Sequence, residues 1–569
     1  MMKWHGLLTA AAMAALTISP AAAQRGADGE VKILYWQAPS ILNPYLSSGV
    51  KDGEASSVVL EPLASYDETG NKVARLAVEI PTLENGGVAK DLKSITWKLK
   101  PGVVWSDGTP FTADDVVFTG QYCLAPSGGC SQLANFSDVD TVEAVNPLTV
   151  KVTFKVAKPN PYGPFLGGEG GIIQKAQFKD CMGVKAPQCT AQNFAPIGTG
   201  AFKVAEFKAN DSIRYVANDK YRDPARPAFA SIYLKGGGDP ASAARAVLET
   251  GEFDYAWNTQ VEPEILERMA KAGKGEVITA FGNYLERMHL NFTNPRPEAG
   301  DKRSVYDDGK NPHPVLKDPA MRRALAMAID RQLLVDTGYG ASGKVTCNVV
   351  PAPEVYASTA VDWCKTPDTD KANKLLDDAG WVKGSDGIRA KNGVRASLLF
   401  QTSTNSVRQA TQALVKQMWG DIGVETELRN IAGSVYFGAD PSSPDTSQKF
   451  MADVEMFSWT YIGTDPESNL GGAKCNVIPG PNNNWIGTNF SRYCNPAYDK
   501  LAEELGQTAE TAARAVVVKK MNDMLIEDGV MIPLVYRGRI SAQSKRLAGH
   551  RLNAWDSELW NIADWARKK

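Results

Sequence analysis

The chain has 569 residues, of which 43% are hydrophobic and 22% are charged, and its formal net charge is -2. This length is too great for one hydrophobic core and predicts two or three lobes, while the ordinary composition excludes collagen-like, disordered and disulfide-only scaffolds. The 62 basic residues do not outnumber the 64 acidic ones, so we expect no nucleic-acid partner, and four histidines leave little material for a metal or acid–base site.

The N-terminal residues have the pattern of a secretory signal peptide. A short positive head contains Lys3, an apolar run covers residues 6–18, and three consecutive alanines end at Ala23. A membrane anchor would need about 20 apolar residues, which is more than this run provides. We therefore predict that residues 1–23 are a cleaved signal peptide and that the mature protein is exported.

Apolar periodicity predicts a mixture of strands and helices. The first strand is predicted at residues 31–35, and polar and apolar residues alternate over 94–99 and again over 150–154, which predicts two neighbouring strands. Between these two, Thr112 is a helix cap followed by acidic residues in the first helical turn. Later helices are predicted to begin at Asp318-Pro319 and to cover 372–379, 407–422 and 512–526, before a strand at 531–535.

Eight cysteines form four close pairs along the predicted mature chain: Cys123 and Cys130, Cys181 and Cys189, Cys347 and Cys364, and Cys475 and Cys494. An even number of cysteines in an exported protein is typical of disulfide bonds. Eight cysteines allow 105 connectivities, of which nearest-neighbour pairing is the simplest. The alternative, a zinc site, lacks both a C-x-x-C motif and a histidine near any pair.

Six blocks of sequence follow one another along the chain, at 97–103, 105–116, 196–202, 247–254, 322–331 and 372–381. In this order the blocks resemble the periplasmic solute-binding proteins that serve ABC importers of peptides and nickel, known as bacterial extracellular solute-binding protein family 5. The resemblance covers essentially the whole predicted mature chain. Ala201 departs from the pattern, because the family usually has proline there.

The resemblance implies an α/β fold of the type II, cluster C periplasmic-binding-protein class, with two lobes joined by two crossover segments. Lobe one is expected to cover residues 24–285, with an extra subdomain at about 68–195, and to be completed by residues 536–569. Lobe two is expected at residues 286–535.

The resemblance also implies a function. We expect a periplasmic monomer that captures a small peptide or peptide-like solute in the interlobe cleft and delivers it to the membrane permease of an ABC importer. The lobes would close by a hinge, which excludes water and strengthens each polar contact to the solute. No catalysis, cofactor or metal is expected.

The family loop that lines the cleft with a tryptophan resembles the segment containing Trp459, Thr460 and Tyr461, although aromatic residues also pack in protein cores. In peptide-binding members, an aspartate three residues after that tryptophan holds the peptide α-amino group. Ile462 occupies this position here. Asp465 is a candidate substitute, and a purely structural role is its alternative.

Three further residues are candidate solute contacts. Arg408 resembles a family position at which arginine can hold a carboxylate with two hydrogen bonds, the alternative being a solvated helix arginine. Tyr45 and Ser48 follow the first predicted strand and are expected at the rim of the cleft on lobe one.

Two alternatives to peptide capture stay open. The first is an amine-blocked conjugate, an opine or a sugar-derived solute, because Ile462 cannot offset the cost of desolvating a cation. The second is an exported hydrolase, which would need His289, His313 or His550, or a pair of carboxylates. No G-x-S-x-G motif occurs in the chain.

Overall fold

The computed structural model describes residues 25–136, 138–438 and 440–569. The predicted signal peptide lies outside the described residues. Helices and strands alternate through the described ranges, and none of these helices is both long and apolar enough to cross a membrane.

The strands in chain order are β1 (Glu30–Tyr35), β2 (Ala64–Tyr66), β3 (Lys72–Ala74), β4 (Ser94–Lys98), β5 (Val139–Asn146), β6 (Thr149–Phe154), β7 (Phe202–Lys208), β8 (Ser212–Ala217), β9 (Ser231–Gly236), β10 (Tyr255–Trp257), β11 (Gly275–Ala280), β12 (Leu285–Leu290), β13 (Gly343–Val345), β14 (Val382–Lys383), β15 (Arg389–Lys391), β16 (Val394–Arg395), β17 (Ser397–Ser403), β18 (Glu425–Ile431), β19 (Val454–Trp459), β20 (Met531–Arg537), β21 (Arg539–Ser544), β22 (Leu547–Ala548) and β23 (Ala566–Arg567).

The α-helices are α1 (Val50–Ser57), α2 (Ala113–Leu124), α3 (Leu133–Phe136), α4 (Lys175–Phe178), α5 (Thr190–Phe194), α6 (Pro240–Leu248), α7 (Pro263–Ala270), α8 (Pro319–Met327), α9 (Arg331–Gly338), α10 (Thr369–Asp378), α11 (Ser406–Asp421), α12 (Gly433–Tyr436), α13 (Glu467–Gly471), α14 (Pro496–Gln507) and α15 (Thr511–Glu527).

The strands and helices predicted from local sequence patterns are present in the structure. β4 and β6 are antiparallel neighbours, and β1, α8, α10, α11, α15 and β20 cover the other predicted segments. At the start of α2, the backbone N–H of Thr112 donates to Asp115 Oδ2 at 3.0 Å. At the start of α8, Asp318 Oδ1 accepts from the backbone N–H of Ala320 at 3.0 Å, which satisfies one of the free donors of the first turn.

Two large sheets organise the described chain. Seven strands form one sheet in the order β11-β21-β10-β1-β9-β8-β7, and six form the other in the order β13-β20-β12-β19-β17-β18. A three-stranded sheet, β4-β6-β5, belongs to the segment between β3 and β7. Buried apolar side chains form separate clusters beside the seven-stranded, the three-stranded and the six-stranded sheet, so each sheet has its own core.

The chain passes between the two large sheets at two places. Residues 281–284 connect β11 to β12, and Gly538 alone connects β20 to β21. A Cβ atom at Gly538 would lie 2.7 Å from Cγ2 of Thr279, which is closer than side chains approach one another. A side chain at the second crossing would therefore require Thr279 to move.

Two buried arginines flank Gly538. Arg537 donates to Gln260 Oε1 at 2.5 Å and to Asn258 Oδ1 at 2.6 Å. Arg539 donates to Glu54 Oε1 at 2.7 Å. A buried guanidinium is strongly destabilising without such partners, so these bonds fix the backbone at the crossing.

The structure joins each close cysteine pair by a disulfide: Cys123–Cys130, Cys181–Cys189, Cys347–Cys364 and Cys475–Cys494. This is the nearest-neighbour connectivity. No free cysteine occurs in the described ranges.

We expect the double variant Cys475→Ala/Cys494→Ala to lower the free energy of unfolding by about 3 kcal/mol, because a disulfide restricts the unfolded chain and this one closes a loop of 19 residues. The matched variant Cys181→Ala/Cys189→Ala opens a loop of 8 residues and should lose about 2.5 kcal/mol. Thermal unfolding of both oxidised variants measures this. An unchanged melting temperature would contradict the prediction.

Candidate functional site

A cavity of about 130 Å³ lies between the segment that carries the three-stranded sheet and the six-stranded sheet. The first side contributes Tyr66, Gln132 and Glu169, and the second contributes β19 and the loop after it. A second cavity of about 50 Å³ shares Ser48 and Trp459 with the first. The two cavities together are the candidate cleft.

β19 positions the aromatic side of the cleft. This strand is hydrogen-bonded to β12 and β17 and ends at Trp459, which is opposite Leu285. The half-buried Trp459 ring packs edge-on against Phe490, with a centroid distance of 5.6 Å, and lines both cavities. The structure therefore places the predicted tryptophan in the cleft.

Thr460 and Tyr461 also line the larger cavity. The Thr460 hydroxyl donates to Asn283 Oδ1 at 2.5 Å, and the Tyr461 hydroxyl donates to the carbonyl oxygen of Ala352 at 3.1 Å. Asn283 lies in the first crossing segment, so these bonds attach the cleft loop to the connection between the sheets. Both hydroxyl protons are already used within the protein.

Ile462 packs across the cleft. A Cβ atom added to Gly167 would lie 2.3 Å from Cγ2 of Ile462, so the isoleucine fills the space above this glycine. The next residue, Gly463, has a φ of +81° and donates its N–H to the carbonyl oxygen of Trp555 at 2.7 Å. The loop is thus held against the opposite side by an apolar contact and a backbone hydrogen bond.

The Asp465 carboxylate faces a cation of the protein. Arg514 Nη2 lies 2.7 Å from each of its two oxygens, and the backbone N–H of Glu467 donates to Asp465 Oδ1 at 3.0 Å. Asp465 still lines the larger cavity. Direct contact of Asp465 with a solute stays a prediction. Its structural role is to hold Arg514 and the backbone of Glu467.

Arg408 lines the smaller cavity but is buried, so the expectation of a solvated helix arginine is wrong. Its Nε donates to Glu286 Oε1 at 2.6 Å, and its Nη1 donates to Ser403 at 3.2 Å. The Glu286 charge raises the pKa of Arg408 against the effect of burial. A solute carboxylate at this position would have to share the guanidinium with Glu286.

The two rim candidates differ. Ser48 lines both cavities and accepts a hydrogen bond from Gln448 Nε2 at 2.9 Å across the cleft. The Tyr45 side chain is fully buried, and its hydroxyl donates to the carbonyl oxygen of Gly171 at 3.0 Å. The expected rim position of Tyr45 is therefore corrected to a core position, because the turn after β1 directs this ring inward to pack beside Tyr122.

Sequence reasoning missed several charged residues of the cleft. Lys158 Nζ contacts Asp138 Oδ2 at 2.6 Å and also pairs with Glu467, which comes from the other side. Arg514 joins Glu467 to Asp465, which completes an ionic chain across the cleft. These residues are distant in sequence and belong to no motif, so no local signal identifies them.

Arg287 lines neither cavity but lies beside Trp459, which lines both. It lies on β12 with only 3% of its surface exposed, and its guanidinium carbon is 5.6 Å from the Trp459 ring centroid. Its Nε donates to His289 Nε2 at 3.1 Å, and burial lowers the pKa of Arg287 to about 9. No acidic residue in the described ranges forms an ion pair with it.

A family model described as "Bacterial extracellular solute-binding proteins, family 5 Middle" matches residues 78–476, which is more than half of the chain. The chain belongs to this family. Its relatives include Protein XP55 of Streptomyces lividans, which is 26% identical over 491 residues covering 86% of this chain and 80% of that protein. The oligopeptide-binding protein AppA of Bacillus subtilis is 24% identical over 538 residues covering 93% and 89%.

Solved structures share the fold of this family 5 protein. AppA in complex with a nonapeptide has a TM-score of 0.78 at 23% identity and covers 96% of this chain and 100% of that chain. NikZ from Campylobacter jejuni in complex with Ni(L-His) has a TM-score of 0.77 at 22% identity, with coverage of 95% and 99%. The predicted family and the predicted two-lobed α/β fold are confirmed.

The ionic chain across the cleft predicts an effect on closure. We expect Lys158→Met to favour the open form by about 1.5–3 kcal/mol, because the bond to Glu467 exists only when the two sides meet. The matched control Lys175→Met removes a pair that is exposed on both partners and is expected to be neutral. Small-angle X-ray scattering of the solute-free proteins should show a larger radius of gyration for Lys158→Met alone. Identical scattering from all three proteins would show that this chain does not hold the cleft closed.

Proposed function

We propose that this family 5 protein captures a peptide or peptide-like small molecule outside the cytoplasm and delivers it, unaltered, to the membrane permease of an ABC importer. The observation that carries the proposal is a cavity with aromatic and polar groups on both sides, from the loops around the three-stranded sheet on one side and from β19 and the loop after it on the other. AppA, a relative along nearly the whole chain, is an oligopeptide-binding protein and was solved with a nonapeptide.

Two features of the cleft suit a peptide. Aromatic side chains such as Trp459 and Tyr66 offer large surfaces that lose little entropy on binding. Amide and carboxamide groups such as Gln132 and Asn135 lie beside them and can pair with peptide N–H and C=O groups. Such a mixture of apolar area and a few polar groups is typical of small-molecule sites.

Closure explains how binding is converted into delivery. The crossings at residues 281–284 and at Gly538 are two short connections between the sheets, about which they can rotate. The cross-cleft contacts of Ser48 with Gln448 and of Lys158 with Glu467 form when the sides meet. A solute that contacts both sides adds free energy to the closed state and shifts the population toward it. The permease would recognise this closed form.

An amine-blocked conjugate, an opine or a sugar-derived compound is the second candidate solute. Ile462 supports it, because this side chain packs over Gly167 and presents no charge at the position where peptide-binding relatives have an acid. The hydrolase alternative gains no support from the described histidines. His289 and His313 are fully buried and bonded to Arg287 and Asp453, respectively. His550 is bonded to Gln543, and burial lowers the pKa of His550 to about 3.

Binding should stabilise the protein without turnover of the solute. A solute at about one hundred times its dissociation constant adds about 2.7 kcal/mol to the free energy of unfolding. Trp459→Ala should abolish most of this gain, because the ring lines both cavities. Trp363→Ala is the matched control, since this half-buried tryptophan lies outside both cavities.

The measurement is thermal unfolding with a panel of peptides, opines and sugars, together with mass spectrometry of each compound afterwards. A panel in which no compound raises the melting temperature would contradict solute capture, and a modified compound would contradict delivery without chemistry. Equal solute-induced gains in the Trp459→Ala and Trp363→Ala variants would place Trp459 outside the binding surface.

A further inference from the structure

The ion pairs across the cleft join Asp138, Lys158, Glu467, Arg514 and Asp465. Glu169 is the acidic residue of the larger cavity that takes no part in them. It lines the larger cavity together with Trp459 and Ile462 and is partly buried. One carboxylate oxygen, Oε2, accepts from Gln132 Nε2 at 3.0 Å. The stem of the side chain packs against Gly53, since a Cβ atom added there would lie 3.2 Å from Glu169 Cγ.

The other acidic side chains of this cavity have cationic partners. Asp138 and Glu467 pair with Lys158, and Asp465 pairs with Arg514. Among the described residues, no lysine, arginine or histidine forms an ion pair with Glu169. Lys474, the other lysine that lines the cavity, forms neither a hydrogen bond nor an ion pair with it. One carboxyl group of the cavity therefore forms no ion pair with the protein, and the nearest cationic influence on it comes from Arg539 behind the cleft.

Three buried carboxyl groups, Glu54, Asp556 and Glu558, lie behind this side of the cleft, and burial raises the pKa of each. Burial raises the pKa of Glu169 and the Asp556 charge adds to this rise, while the hydrogen bond from Gln132 and the Arg539 charge act in the opposite direction. Glu54 and Glu558 share Arg539, at 2.7 Å and 3.6 Å, so that two carboxylates lie beside a single cation. The Asp556 carboxylate accepts hydrogen bonds from the backbone N–H groups of Tyr66, Gly168 and Ser557. It forms no ion pair with any of the described residues.

An organic cation fits these surroundings better than a metal ion does. No group of three or more metal-ligating side chains occurs in the described ranges. The aromatic residues Tyr66, Tyr162 and Trp459 line the same cavity. Lys72 Nζ lies 4.4 Å from the Tyr162 ring centroid and 5.8 Å from that of Tyr66, and Arg287 lies over Trp459. The Glu169 carboxylate is therefore the group that remains for a cation of the solute.

We propose that Glu169 binds a cationic group of the solute, an ammonium or a guanidinium, and so makes this protein selective for solutes that carry a positive charge. The inference rests on the proposed capture of a peptide-like solute and specifies its charge. It also assigns recognition of that charge to the side of the cleft opposite Ile462. The cation would neutralise a carboxylate that the protein itself leaves unpaired.

The probe is a synthetic library of peptides two to five residues long, with and without lysine or arginine, each in a free-amine and an N-acetylated form. Mass spectrometry identifies the retained peptides, and calorimetry gives the affinities of retained peptides and their neutral counterparts. The wild type should prefer a peptide with a positive charge over its neutral counterpart at least tenfold. Comparing the affinities of peptides that have only a free α-amine with those of N-acetylated peptides that contain lysine or arginine shows which cationic group binds.

Glu169→Gln should reduce this preference to near onefold, because the variant keeps the size of the side chain and removes its charge. Glu169→Asp should restore part of it, because the charge is retained. The matched control Glu143→Gln, which removes an exposed carboxylate on β5, should behave as the wild type. Melting temperatures of the free variants show that each is folded.

A wild type that binds charged and neutral peptides equally, or a Glu169→Gln variant that keeps the preference, overturns the role of Glu169 and leaves peptide capture intact. If no peptide is retained, the proposed peptide solute fails. The Glu169 proposal is then decided with agmatine and choline. The role of Glu169 is supported if agmatine or choline raises the melting temperature of the wild type but not that of Glu169→Gln. It is overturned if neither compound raises the melting temperature of the wild type.

Discussion

The passage of the chain between two sheets at residues 281–284 and at Gly538 is the constraint on which the rest of this structure depends. Because the connections are short, the edges of the sheets at which they emerge must lie close together, and a cleft must open beside them. Arg537 and Arg539 make this arrangement specific, since each buried guanidinium requires the partners that one geometry provides. The location of the hinge is therefore set by buried polar bonds as well as by apolar packing.

The cleft combines interactions that hold it closed with groups that are left available. Hydroxyls of Thr460 and Tyr461 and the carboxylate of Asp465 are bonded within the protein, and they shape the loop after β19. Trp459 and Glu169 offer an aromatic surface and a charge that no protein cation pairs. A binding protein needs both kinds of residue, because preorganised sites lose less entropy when the solute arrives.

Membership of family 5 and the shared fold do not decide the solute. AppA was solved with a nonapeptide and NikZ with Ni(L-His), and both have nearly the same fold as this chain. Chemical identity of the solute is set by side chains in the cleft, which differ among proteins of one fold. Here Ile462 replaces the expected acid, and Glu169 presents a carboxylate from the opposite side.

Patterns close together in the sequence determined the secondary structure and the family. The capping residues Thr112 and Asp318 mark helix starts because their bonds span three residues or fewer. The same local information placed Trp459 in the cleft, since the residue belongs to a recognisable block. It could not place Tyr45 or the charged partner of Arg408, Glu286, whose positions follow from long-range packing.

Tertiary structure alone decided which charges are paired. Glu169 and Lys158 lie far in sequence from Trp459 and Glu467, and no periodicity or motif connects them. Whether a carboxylate is neutralised depends on a cation within a few ångströms, and that distance is a property of the folded chain. The sequence therefore determined that a cleft exists and which loop borders it, whereas folding determined which of its charges is available to a solute.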